Sequence, residues 1–233
     1  SLKFTKKMKE KRLQIFELVL VLSIAFLPSL IQSVFFIFSG QSIDFTSVNG
    51  ASYVNWIFQS LLSITLMFYI LFRNGKDYRS IGLNLKFAWN DLLIGVGLLL
   101  LAGFARGILT VILSIIEPDT IKQVLNPQNI GFLNTNTYGL LIFILILVPI
   151  QEELIVRGFT MSEIFRLTNS KYLAITISVL VQFIYHLYQG FTPAIMMLPY
   201  FIIASIYFVK TENLNPIIYS HVLTDILWLV MKK

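Results

Sequence analysis

The run Gln151-Glu152-Glu153-Leu154-Ile155-Val156-Arg157-Gly158 places three ionisable residues directly after the apolar stretch Tyr138 to Ile150. A carboxylate at the centre of a hydrocarbon layer costs roughly 3 kcal/mol on insertion scales, so such residues face a protein interior or a water-filled cavity and carry function there. Glu153 and Arg157 stand at i and i+4, the favourable order for a helical ion pair, whereas Glu152 points about 100° away around the helix. Glu153 is therefore the expected structural partner of Arg157, and Glu152 the side chain left free to act as a general base. The bland reading makes Arg157 a snorkelling interfacial residue and Glu153 its surface partner.

Only two histidines occur, His186 and His221, and both fall in apolar segments. A lone histidine on an apolar face is more often a satisfied core residue than a functional one. His221, however, is followed four positions later by Asp225, which shares its helical face and can accept an imidazole N–H. The turn near Asn169 lies midway between Glu152 and His186. Two antiparallel helices from that turn would carry the carboxylate and the imidazole to the same level, each about 25 Å away at 1.5 Å per residue.

These side chains need a membrane bundle to position them. With 56% hydrophobic and 13% charged residues in 233, the chain is far from the composition of a soluble domain. The fold class expected is all-α, a polytopic membrane helix bundle of about seven spans, six to eight being compatible with the hydropathy. The spans fall near Leu13 to Phe38, Ala51 to Phe72, Asp91 to Ile116, Tyr138 to Arg166, Lys171 to Tyr188, Pro193 to Val209 and Leu214 to Met231. Residues 1–12 form a basic tail and 13–233 a single transmembrane domain, with the candidate catalytic core at about 138–230. The first span resembles a signal peptide only in its charged start: its apolar stretch is too long and lacks a small-residue cleavage site, so it is expected to stay as an anchor.

The absence of cysteine excludes disulfides, thiolate metal sites and a cysteine nucleophile. The net charge of +6 does not signal nucleic acid, because the basic residues lie in the tail and in short loops. The tail, the loop with Arg73, Lys76, Arg79 and Lys86, and the turn with Arg166 and Lys171 alternate with loops poor in lysine and arginine, which puts the N-terminus in the cytoplasm. Lys232 and Lys233 would fall outside if seven spans crossed fully, so a re-entrant last segment or a count off by one is also consistent. Arg106 is a further intramembrane charge. Gly103 and Gly107 beside it read as a small-x-x-x-small packing face, with Arg106 snorkelling, lining the bundle, or meeting a motif carboxylate or a substrate carboxy terminus.

Glu152-Glu153-x-x-x-Arg157-Gly158, then Tyr185-His186-Leu187-Tyr188-Gln189-Gly190, then His221-x-x-x-Asp225, resemble in order and spacing the three motifs of the CAAX protease and bacteriocin-processing family of intramembrane endopeptidases. The resemblance covers roughly Leu140 to Trp228. Two positions vary: Gln182 stands where many members carry an aromatic residue, and Asp225 where members carry Asn or Asp. The resemblance implies hydrolysis of a peptide bond by water. Glu152 and His186 would activate the water, and His221, oriented by Asp225, would stabilise the oxyanion, with Glu153 and Arg157 in support. A metal-free site is favoured. If zinc were used, Glu152, His186 and His221 would be its ligands, with Asp225 as a further oxygen donor.

The implied partners are a hydrophobic or membrane-tethered peptide and the lipid bilayer. The implied setting is the bacterial plasma membrane, in peptide maturation or bacteriocin self-immunity. Two non-enzyme readings stand beside this one: a catalytically idle relative that binds a peptide as an immunity or regulatory protein, and a small transporter relaying protons through the same side chains.

Overall fold

The computed structural model describes residues 2–40, 50–125 and 138–230. Helix α1 runs over Leu2–Ser39, α2 over Gly50–Arg73, α3 over Trp89–Ile116 and α4 over Pro118–Leu125. Then come α5 (Tyr138–Glu152), a π-helical segment (Glu153–Met161), α6 (Ser162–Thr168), α7 (Lys171–His186), α8 (Phe191–Thr211) and α9 (Asn215–Val230). Among the described residues, six helical stretches are long and apolar enough to cross a membrane, with α5, the π segment and α6 acting as one. Of the seventh expected span, the described residues form α9, which is 16 residues long. That is about 24 Å of helix, short of the roughly 30 Å hydrocarbon thickness.

The basic start of the chain is helical, residues from Leu2 onward forming the first turns of α1. The start of α1, the loop after α2 and the α6–α7 turn meet at one end of the bundle, as the charge alternation predicts. Glu163 ties them together, accepting from Gln14 Nε2 at 2.6 Å and Lys76 Nζ at 2.8 Å while pairing with Arg166. Glu17 on α1 pairs with Arg73 and accepts from Asn74 Nδ2 at 2.8 Å. Both carboxylates are buried but paired, the condition under which burial is tolerated.

After α2 the chain makes a 3-10 turn, Tyr78–Ile81, capped by Asp77 and closed by Gly82 at φ 77. A left-handed residue there suits glycine, and a Cβ would also meet the Glu212 carbonyl oxygen at 2.5 Å. That close approach lets Leu214 N donate to Gly82 O at 2.9 Å. The Asn215 side chain completes the join, accepting from Asn84 N at 3.1 Å and donating to Asn84 O at 2.7 Å. The loop between α2 and α3 thus fixes the start of α9.

Helix α9 packs on α3 and α5. The contact with α3 centres on Gly95, whose α-carbon is so close to α9 that a Cβ would lie 2.8 Å from Pro216 O. Gly103 and Gly107, expected as the packing face, are not: a Cβ on either meets nothing within 4 Å. They lie among the exposed Leu100, Phe104 and Ile108, a face that suits lipid. Arg106 is half-buried there, and makes no ion pair with a carboxylate among the described residues.

Candidate active site

Pro149 removes one backbone donor from α5, and four residues later the helix widens into its π-helical segment. A π segment closes i→i+5 bonds, so it carries extra residues per turn and narrows the angular step between successive side chains; such segments recur at functional sites. All nine residues, Glu153 to Met161, are buried, and Arg157 is the largest fully buried side chain of the described chain. Gly158 permits this: a Cβ would sit 3.1 Å from both Ile81 O and Leu214 Cδ2, so the 3-10 turn and the start of α9 press directly on this segment.

Glu153 and Arg157 form the expected ion pair, with Arg157 Nη1 donating to Glu153 Oε1 at 3.2 Å. Both side chains are fully buried, which rules out the interfacial snorkelling reading. The same Oε1 has two further partners. His221 Nδ1 on α9 lies 2.7 Å away, and the Tyr200 hydroxyl on α8 lies 3.3 Å away, donating between this oxygen and Ile217 O at 3.2 Å. The Arg157 guanidinium also sits 5.8 Å from the ring centres of Tyr200 and Phe201, a cation–π arrangement that favours a charge removed from water.

His221 presents its other nitrogen to the remaining carboxylates. Nε2 is 4.0 Å from Glu152 Oε2 and 4.0 Å from Asp225 Oδ1. Neither is a direct hydrogen bond. The orienting contact expected from Asp225 is thus made instead by Glu153, because Glu153 reaches the imidazole from within the core while Asp225 lies at its more open side. Glu152 Oε2 is buried and has no hydrogen-bond partner among the described residues. The Tyr185 phenol interacts with the same carboxylate.

His186 ends α7, and its Nδ1 lies 2.8 Å from the carbonyl oxygen of Gln182 one turn back. A carbonyl can only accept, so Nδ1 carries the proton and Nε2 is left as an acceptor. The Gln182 side chain turns elsewhere, its Nε2 reaching the Tyr185 hydroxyl at 3.4 Å. His186 packs on Tyr185, at 4.4 Å between ring centres, and on Phe201 at 5.1 Å; Phe26 of α1 stacks on Tyr185 at 4.3 Å. Tyr188 N donates to Ser33 Oγ at 3.0 Å, so α1 braces the segment that carries His186.

One cluster therefore joins Glu152, Glu153 and Arg157 with His221 and Asp225, and His186 is walled in by the aromatic side chains that also border it. Tyr200 and Phe201 went unread in the sequence, and Tyr185 was read only as part of the motif around His186. The only hint for the first two is Pro199, which precedes Tyr200 and Phe201 inside α8. Among the described residues, no three of His, Asp and Glu are gathered so as to hold a metal ion.

Residues 134–227 match the family model described as Rce1-like, type II CAAX prenyl endopeptidase Rce1-like. The matched segment contains every motif residue above. No curated protein and no solved structure matches the chain.

Proposed function

We propose that this chain, whose segment 134–227 matches the family model of the type II CAAX prenyl endopeptidases, hydrolyses a peptide bond of a hydrophobic or membrane-tethered peptide with a water activated by Glu152. The single observation that carries the reading is the 4.0 Å separation of Glu152 Oε2 and His221 Nε2. It is too long for a direct bond, and matches the span of one water oxygen making two hydrogen bonds of about 2.8 Å.

In the reaction, Glu152 takes a proton from the water as the water oxygen bonds to the scissile carbonyl carbon. Negative charge then develops on the carbonyl oxygen, and His221, held at Nδ1 by Glu153 and protonated on both ring nitrogens among these carboxylates, donates its Nε2–H to it. Collapse of this intermediate breaks the C–N bond, and Glu152 returns its proton to the departing amine. His186 assists as an acceptor through Nε2, Arg157 holds Glu153, and Asp225 lines the open side of the His221 ring. No resident metal is part of this reading, since both imidazoles and both glutamates find roles in proton transfer and charge stabilisation.

The family description names a prenylated tail as substrate. For this chain we propose the broader class, a membrane-tethered or leader-bearing peptide, in peptide maturation or bacteriocin self-immunity at the bacterial plasma membrane with the N-terminus cytoplasmic. The test is cleavage of a panel of precursor peptides by the purified chain in detergent, read by mass spectrometry. Wild type should cut at one bond, and Glu152→Gln should be slower by about a hundredfold or more. Binding without cleavage by wild type would mark an idle peptide-binding relative instead.

A further inference from the structure

A cavity of about 300 Å³ opens at the basic end of the bundle, between the 3-10 turn, α6, the first turn of α7 and the end of α8. Met161 and Phe208 give it buried apolar surface, while Arg79, Arg166 and Lys171 bring three cations to its wall against one carboxylate, Glu212. Arg166 is engaged with Glu163 and with Ser80 O at 2.8 Å. Arg79 and Lys171 make no ion pair among the described residues. Lys171 is also the first residue of α7, whose first turn has no acidic residue, so its charge adds to the positive end of the helix dipole. A bias of lysine and arginine towards one side of a membrane accounts for basic residues at this end, but not for a cavity that collects three of them beside apolar surface.

We infer that this cavity binds a phosphate-bearing anion, the headgroup of an anionic phospholipid. The cations and the helix end take the phosphate, and the apolar wall takes the adjoining glycerol and first methylenes. The inference is independent of the proteolytic reading, since none of the cavity residues belongs to the cluster around Glu152.

The experiment is native mass spectrometry of the purified full chain in detergent, with phosphatidylglycerol or phosphatidylcholine of the same acyl chains, alongside thermal unfolding with inorganic phosphate alone. Wild type should retain phosphatidylglycerol about tenfold better than phosphatidylcholine. The variant Arg79→Gln/Lys171→Gln should lose that preference. Lys86→Gln, at the same end but outside the cavity, should keep it, and Glu212→Gln should strengthen it, a gain that a merely structural role would not give. If inorganic phosphate raises the unfolding temperature of wild type but not of the double variant, while the two lipids bind alike, the phosphate site stands and its ligand is the free anion. Equal retention of the two lipids with no phosphate effect, or equal losses in the double variant and Lys86→Gln, overturns the inference.

Discussion

His221 is held by Glu153 and not by Asp225: Nδ1 lies 2.7 Å from Glu153 Oε1, whereas Asp225, one turn along the same helix, stays 4.0 Å from Nε2. A hydrogen bond to Nδ1 decides which nitrogen faces the reactive side, so Glu153 sets the aim of the imidazole. Because the same oxygen accepts from Arg157, the chain Arg157–Glu153–His221 links the π-helical segment to α9 through buried charge.

Breaking that chain at Glu153 should cost stability before it costs chemistry. Glu153→Gln leaves the Arg157 charge buried without a counter-charge, for an expected loss of about 3–5 kcal/mol, measured as a lowered unfolding temperature in detergent. Glu153→Gln/Arg157→Met removes both charges and should recover most of that stability. It should not recover cleavage, because the carboxylate that aims His221 is gone. Recovery of both would reduce Glu153 to a packing residue.

Asp225 should be the more tolerant acid. Asp225→Asn keeps a polar oxygen on the open side of the ring and should retain most activity, and Asp225→Ala should lose less than Glu153→Gln, measured as kcat/KM on one cleavable peptide. An Asp225→Ala loss as large as that of Glu152→Gln would put Asp225 in the reaction itself.

The sequence made the spans and the motif residues legible because a membrane demands long apolar helices and makes each buried charge conspicuous. It did not make legible which carboxylate anchors His221. Reasoning on an ideal α-helix set Glu152 and Glu153 to different tasks, but at the junction of α5 and the π-helical segment both approach one imidazole, at 4.0 and 2.7 Å. Tyr200 gave no signal, since one tyrosine among 10 and beside 20 phenylalanines is unremarkable until its hydroxyl is placed. The packing glycine was misread for a related reason: spacing marks small residues, but only geometry shows which side of α3 meets a partner.

Tyr200→Phe tests the aromatic residue that spacing missed. It deletes one donor to Glu153 Oε1 and Ile217 O while keeping the ring against Arg157 and His221. The expected cost is about 1–1.5 kcal/mol of stability, with cleavage reduced less than by Glu153→Gln because the Glu153–His221 bond remains. An undiminished unfolding temperature would show that the hydroxyl contributes nothing.

Metal analysis tests the proton-transfer reading. Purified protein should hold no stoichiometric zinc, and a chelator should leave cleavage unchanged. About one zinc per chain, lost together with activity and restored on addition, would assign Glu152, His186 and His221 as ligands.

The α3–α9 contact supplies the last prediction, since His221 lies two residues beyond Tyr219 in the part of α9 that Gly95 admits. Replacing a helix-interior glycine with alanine ordinarily stabilises by up to about 1 kcal/mol through helix propensity. At Gly95 the added Cβ would lie 2.8 Å from Pro216 O and 3.0 Å from Tyr219 Cβ, and backbone cannot yield as a flexible side chain can. Gly95→Ala should therefore force α3 and α9 apart, with a net loss of about 1–3 kcal/mol and impaired cleavage as His221 shifts from Glu152. Gly103→Ala and Gly107→Ala, with nothing within 4 Å, are the matched controls and should be neutral or stabilising in both assays. If Gly95→Ala unfolds and cleaves like those two, the helices do not meet at Gly95. If Gly103→Ala and Gly107→Ala were instead the damaging pair, the small-residue face read from spacing would be the true contact.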